Sequence, residues 1–271
     1  MNRCQKIGLK HYEDINTKIP RDEVASILRH VQYVTDDVCG GPGIVLCTAC
    51  GSFRRGASSS GDIDIILLPA STEPRHDKRA LDVYDRVRRR LTQTGFIVDT
   101  LTWPNLFKEN EGLNPPTESK GFMGLCKLPS DSASYSGIAR RLDLKAYPRC
   151  QGAFATLYFT GSAHFNRSMR EFCKKSGLTL SDAGLALTYR DEGGHKAKTL
   201  ASIRADTEED VFEALGIEYV GVTYRDVGCG VGWQATGGGE RGGFWDEDIG
   251  EGLDEMDEGD YREGTDEAIL K

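Results

Sequence analysis

The residues best suited to chemistry lie in one stretch, GSFRRGASSSGDIDIILLP, residues 51 to 69. Side chains at i and i+2 of a strand project from the same face, so Asp62 and Asp64 share one side while Ile63 and Ile65 point the other way, into a core. Two carboxylates held a few ångström apart raise each other's proton affinity, and without a cation between them the arrangement is unfavourable. Asp143, in RRLDLKAYP, is flanked by Leu142 and Leu144 in the same alternating way and reads as a third carboxylate on a neighbouring strand. Three hard oxygen donors on a rigid sheet, with no His or Cys, suit Mg²⁺ that completes its octahedron with water and substrate phosphates. That donor set serves two-metal phosphoryl transfer. The turn GSFRRG adds the phosphate side: Gly51 lets backbone N–H groups approach, Ser52 offers a hydroxyl, and Arg55 offers a planar fork. A D-x-D pair also occurs as a plain polar strand end; the Gly-Ser turn and the third aspartate favour the catalytic reading.

Elements that can hold these residues are readable on either side. Pro20 opens a helix whose apolar stripe is Val24, Ile27, Leu28, Val31 and Val34, closed by the glycine-rich CGGPG. The runs IVLCTAC and IDIILLP read as strands, joined by the opening motif. A second amphipathic helix, about 77 to 94, places Ala80, Leu81, Tyr84, Val87 and Leu91 on one face, with Arg86, Arg88, Arg89 and Arg90 mostly outside as a solvated face. GFMGLCKLP and RRLDLKAYP read as two further strands around a short polar loop. From about residue 151 helices take over, GAFATLYFTGSAHFN and RSMREFCKKSG, the second ending at Gly177. LALTYRDEGGHKAKTL reads as strand, Gly-Gly turn, strand, and TEEDVFEALG as a helix capped by Thr207. Residues 1 to 19 show no core of their own.

The formal charge of −8 conceals an asymmetry. Residues 237 to 271 hold 13 Asp and Glu against 3 Lys and Arg, so the preceding 236 residues carry a net +2. A mildly basic folded part is compatible with nucleic acid, and the Gly- and acid-rich end is expected to be disordered. Cys47 and Cys50 form a lone CxxC without the second pair that zinc requires, and read as buried strand cysteines. The irregular spacing of all eight cysteines, with no signal peptide and no bilayer-spanning apolar run, fits a reducing intracellular compartment. His11, His164 and His195 have no metal-binding spacing and receive no catalytic role.

The stretches GSFRRGASSSGDIDIIL, RRLDLKAYP and LYFTGSAHFNRSMR resemble the catalytic part of the family X DNA polymerases, and the likeness runs from about residue 7 to about 219. The resemblance implies an α+β fold: a nucleotidyltransferase-type palm over 20–149, a mixed sheet with helices packed on one face, then a smaller helical and hairpin nucleotide-selecting (thumb-type) subdomain over 150–226. Residues 1–19 would be the remnant of a preceding helical subdomain or linker, and 227–271 a tail. By position, the resemblance implies that Asp62 and Asp64 bind two Mg²⁺ ions, with Mn²⁺ as a substitute, and that Asp143 holds the catalytic ion and the primer 3′-hydroxyl. Ser52, Arg55 and Gly61 would contact the triphosphate. Tyr158, Phe159 and Gly161 would line the sugar pocket, Asn166 would reach the minor-groove edge of the incoming base, and Arg170 the template side of the DNA. Without the resemblance, Tyr158 and Phe159 read as helix core and Arg170 as a solvated charge.

Several positions depart from the family pattern. Lys6 stands where members usually carry a triphosphate-binding arginine, Lys145 follows Asp143 where relatives vary, and Asp182 and Ala183 replace the Glu and Tyr of some members. GVTYRDVGCGVGW lacks the usual proline-bearing end, and the lyase domain of gap-repair members is not in this sequence. The leading expectation is a nuclear, monomeric, DNA-directed polymerase filling short gaps from deoxynucleoside triphosphates on primer-template DNA, away from membranes. The alternatives are template-independent terminal transfer, for which a Trp-bearing version of YFTGS and a longer loop before the third aspartate are expected, and a truncated non-catalytic binding protein.

Overall fold

The computed structural model describes residues 1–71, 73–101, 119–190, 196–198 and 202–226. The expected end-to-end disorder of 227–271, His195 and the Gly-Gly turn lie outside the described residues.

Five strands form the central sheet: β2 (Val45–Ala49), β4 (Ile63–Pro69), β5 (Ile97–Thr100), β6 (Lys120–Cys126) and β7 (Arg140–Ala146), the short pair β1 (Ile19–Pro20) and β3 (Ser59–Ser60) standing apart. The order is β2-β4-β7-β6-β5, with β4 and β7 parallel and every other pair antiparallel. Alternation decides the faces. Ile63, Ile65 and Leu67 of β4, with Leu142, Leu144 and Ala146 of β7, join the main core under α3 (Arg21–Cys39) and α5 (Arg79–Gln93). All of Val24, Ile27, Val31 and Val34 are buried there, and Gly40, at φ 82°, ends α3 in the left-handed conformation that glycine adopts without strain. On α5 the apolar stripe is buried, while Arg86, Arg89 and Arg90 are exposed and Arg88 half-buried.

Among the described residues two smaller clusters pack on the opposite face. Ile66 and Leu68 of β4 pack with Cys50, Tyr147 and Ala155, the last from α6 (Gly152–Thr160). In the second, Leu125 packs with Leu101, Ala139 and Ile7 of α1 (Arg3–Lys10). Residues 1 to 19 therefore do more than the sequence suggested. They form α1, closed by an Asn2–Gln5 capping box, and α2 (Tyr12–Asn16), and they borrow the sheet's core rather than building one. Buried Arg140 fastens this segment, pairing with Glu23 at 2.6 Å and donating to the carbonyls of Thr17 and Lys18. The sequence reading also passed over β5, whose FIVDT run is shorter than the strands it did find.

Past β7 the second subdomain has its own core, with Phe154, Leu157, Phe165, Met169, Cys173, Leu185, Val211 and Phe212 buried together. The helix break falls at Gly161 rather than after Asn166. Gly161 has φ 63°, Ser162 caps the next helix by accepting from the Phe165 N–H, and α7 runs Ala163–Lys175. A three-stranded sheet, β10-β9-β8, follows from β8 (Leu178–Ser181), β9 (Gly184–Arg190) and β10 (Lys196–Lys198). The short helix α8 (Glu208–Ala214) starts at a Thr207–Asp210 capping box with acids through its first turn.

Candidate nucleotidyl-transfer site

The same face, between those two clusters, carries the carboxylates. Asp64 and Asp143 are direct partners in the parallel register of β4 and β7, and Asp62 lies two residues before Asp64 on the same face. Burial, then the charge of Asp62, then that of Asp143 raise the Asp64 carboxyl to about 8. Burial also raises Asp143, to about 6; Lys145 opposes the shift, Asp62 adds to it and Arg141 opposes it. Arg141 pairs with Asp62 at 2.6 Å, and Lys145 stands 4.1 Å over the Phe159 ring. The group is thus acidic with a rim of cations, and its two inner carboxyls hold protons far more tightly than free ones.

A divalent cation is the species that such a donor set calls for: three carboxylate groups, no soft ligand, and proton affinities raised by mutual repulsion. Among the described residues no three His, Cys, Asp or Glu side chains converge on one point, so the aspartates share a face without closing round an ion. The residues fit the group in type and in register, and Arg141 is paired with Asp62. Cys47 and Cys50 contribute nothing to such a site. Burial pushes the Cys47 thiol up to about 12 and raises Cys50 further, so neither offers a thiolate.

Gly51 opens a single helical turn, α4 (Gly51–Arg54), directly beside the acids. Its φ is 56°, and a Cβ there would stand 2.6 Å from Asp64 Oδ2, so only glycine lets the turn approach this closely. The Asp64 carbonyl accepts from Cys50 N–H at 2.8 Å, fixing turn to strand. Ser52 donates to the Ser60 hydroxyl at 3.0 Å, and Gly61 lies with Lys18 Nζ 3.7 Å from where its Cβ would be. Arg55 reaches across to the second subdomain, donating from Nη1 to Thr160 O and from Nε to Asp226, both at 2.6 Å. Lys6 is exposed on α1; Lys18, which sequence reasoning did not single out, is the lysine beside the turn.

The second subdomain brings its own set together. Asn166 donates to Tyr158 O at 2.7 Å, Arg170 lies 4.9 Å over the Tyr158 ring, and Tyr158 meets Phe159 edge-on at 5.0 Å. Tyr158, Asn166 and Arg170 line one small depression with Leu180 and Ser181. Asp182 accepts from the buried Tyr147 hydroxyl at 2.6 Å. Missed in the sequence was the link between the halves. Glu208 is buried and takes Arg54 at 2.5 Å and Arg225 at 2.6 Å, while Arg54 also donates to the Thr160 hydroxyl. Glu208 is one of three acids in the first turn of α8, and no local pattern distinguishes it from Glu209.

Comparison with known proteins matches these halves separately. A family model described as DNA polymerase beta palm matches residues 18–149, and one described as DNA polymerase beta thumb matches 155–226. DNA polymerase lambda of Rattus norvegicus is 38% identical over 224 residues, 82% of this chain and 35% of that protein. DNA polymerase lambda of Arabidopsis thaliana is 31% identical over 221 residues, 81% of this chain and 39% of its own length. The DNA-directed DNA/RNA polymerase mu of Homo sapiens is 30% identical over 233 residues, 81% of this chain and 44% of that protein. The chain thus spans less than half the length of the curated relatives it matches.

Proposed function

The chain belongs to the family X DNA polymerases, and from that premise we propose that it is a DNA-directed nucleotidyltransferase that extends a primer 3′-hydroxyl from deoxynucleoside triphosphates. The observation that carries this reading is the register of Asp64 against Asp143, with Asp62 on the same face and the Gly51–Ser52 turn alongside. Asp62 and Asp64 would hold two Mg²⁺ ions, or Mn²⁺, and Asp143 the ion nearer the primer hydroxyl. When bound, the ions supply Lewis acidity to the attacking and leaving oxygens. The primer oxygen displaces pyrophosphate from the α-phosphorus in line, and the residues around the acids orient the two partners. Ser52, Arg55 and Gly61 would receive the triphosphate; Gly61 carries no side chain and Lys18 lies beside it, which suits a crowded polyanion. Tyr158, Phe159 and Gly161 would border the sugar, with the Tyr158 backbone crowding a ribose 2′-oxygen. Asn166 would reach the incoming base, and Arg170 the template side.

The setting we assign is short-gap repair of nuclear DNA by a monomer. Among the described residues no helix is long and apolar enough to cross a membrane. Terminal transfer is the second reading, and YFTGS, without the tryptophan expected of it, favours templated synthesis. Primer extension in Mg²⁺ with and without a template strand tests the proposal. Extension that follows the template base supports it; addition to single strands alone moves the protein to terminal transfer, and none by folded protein sets the enzymatic reading aside.

A further inference from the structure

The Arg55 guanidinium, a proposed phosphate ligand, is clamped by the second subdomain. Its Nε donates to Asp226 Oδ1 and its Nη1 to Thr160 O, each at 2.6 Å, and among the described residues Nη2 makes no hydrogen bond. The Arg55 side chain is 14% exposed and that of Asp226 51%. Asp226 is itself held. Arg225, next to it, is buried against Phe165, Phe212 and Tyr219, donates to Val220 O and pairs with Glu208, and its carbonyl accepts from Ser162 N–H and Oγ. Gly161, at φ 63°, lies beside the clamp, with Arg55 Nη1 3.4 Å from where its Cβ would be.

We propose that Asp226 is a positioning residue for the triphosphate site, which fixes the Arg55 fork so that Nη2 faces the phosphates of the incoming nucleotide. The proposal rests on the reading of Arg55 as a phosphate ligand. An arginine side chain that must be ordered on binding loses rotamer freedom; one already fixed by a carboxylate and a carbonyl offers a charge-assisted bond without that loss. With Nε taken by Asp226 and Nη1 by Thr160, Nη2 is the nitrogen left to the ligand.

Equilibrium binding of a deoxynucleoside triphosphate to the protein with a dideoxy-terminated primer-template in Mg²⁺ measures the effect without turnover. Asp226→Ala is expected to weaken nucleotide binding about tenfold, leaving the primer-template Kd within about twofold, with Asp226→Glu recovering most of the loss. Arg55→Ala is expected to weaken it as well, and Arg55→Ala with Asp226→Ala to be no worse than Arg55→Ala alone, because the two residues act as one unit. Losses that multiply in the double variant, or nucleotide binding by Asp226→Ala as tight as wild type or tighter, would overturn the proposal. Unchanged nucleotide binding in Arg55→Ala would overturn the underlying reading of Arg55 and this proposal with it. In protein free of metal and nucleotide, the Arg55 Nε–H NMR signal is expected to be protected from exchange in wild type and not in Asp226→Ala; an unprotected wild-type signal would overturn the clamp whatever Arg55 binds.

Discussion

Replacing Asp64 by Asn should stabilise the metal-free protein at high pH. Burial and the neighbouring Asp62 and Asp143 raise the Asp64 carboxyl from 3.8 to about 8, so between those values the folded protein holds a proton that the unfolded chain has released. Stability from this group is therefore present in full below pH 4 and declines as pH rises towards 8. At about 1.36 kcal/mol per pKa unit the whole displacement has an upper bound of about 6 kcal/mol. Asp64 is only half-buried and shares its charge burden with two other carboxylates, so screening and coupling reduce the net to about 2 kcal/mol. For a chain of this size that is about 5 °C in Tm. Calorimetry in EDTA from pH 5 to 9 reads it out. Wild type and Asp64→Asn should melt closest together at pH 5, where most of the proton-linked stability remains, and the variant should melt progressively higher as pH rises to 9. Equal or lower melting of the variant at pH 9 would refute the claim that the three carboxylates repel one another across β4 and β7.

Glu208→Gln strands two guanidinium groups, one of them fully buried, so it should cost about 3 to 5 kcal/mol in urea unfolding, against under 1 for Glu209→Gln on the exposed side. Gly51→Ala must adopt φ 56° and meets Asp64 Oδ2 at 2.6 Å; it should lower Tm and cut nucleotide incorporation, whereas Gly95→Ala, with φ 76° but open space around it, should lower Tm alone. Deleting residues 237–271 removes a net charge of −10 from a chain whose remainder is +2, and should tighten DNA binding at low salt, the gain shrinking as salt is added; equal Kd values across a salt series would leave the acidic segment without that role.

What the sequence made legible was local. Alternation at Asp62–Leu68 and Arg141–Ala146 told which side chains share a face, and the structure has Ile63, Ile65, Leu142 and Leu144 in the core and the aspartates opposite. That β4 and β7 are parallel and in a register that sets Asp64 against Asp143 is a tertiary fact; the flanking leucines suggested a neighbouring strand but neither its direction nor its register. The stripe of α3, the two faces of α5 and the Thr207 cap were equally plain, since each is written within one or two turns. Short elements escaped: α1 and α2 bury too few residues for a period to show, and β5 offers four residues. Gly161 was visible as a glycine but not as a break, because the apolar spacing of GAFATLYF continues into AHFN. The clamps Arg54–Glu208–Arg225 and Arg55–Asp226 join residues more than 150 apart or buried in a turn-rich end, and charge alone in RRG or TEED cannot name the partner.

The most direct test of the central claim is template-directed incorporation of one nucleotide in Mg²⁺ by wild type and Asp143→Asn, alongside Tm and primer-template affinity for both. Asp143 lies on the face opposite the main core, with Leu142 and Leu144 in the core behind it, so the variant should keep its fold and its DNA binding. The account predicts that it loses incorporation by several orders of magnitude. Incorporation by folded Asp143→Asn at the wild-type rate would contradict the assignment of the three aspartates as the metal-holding centre of a polymerase.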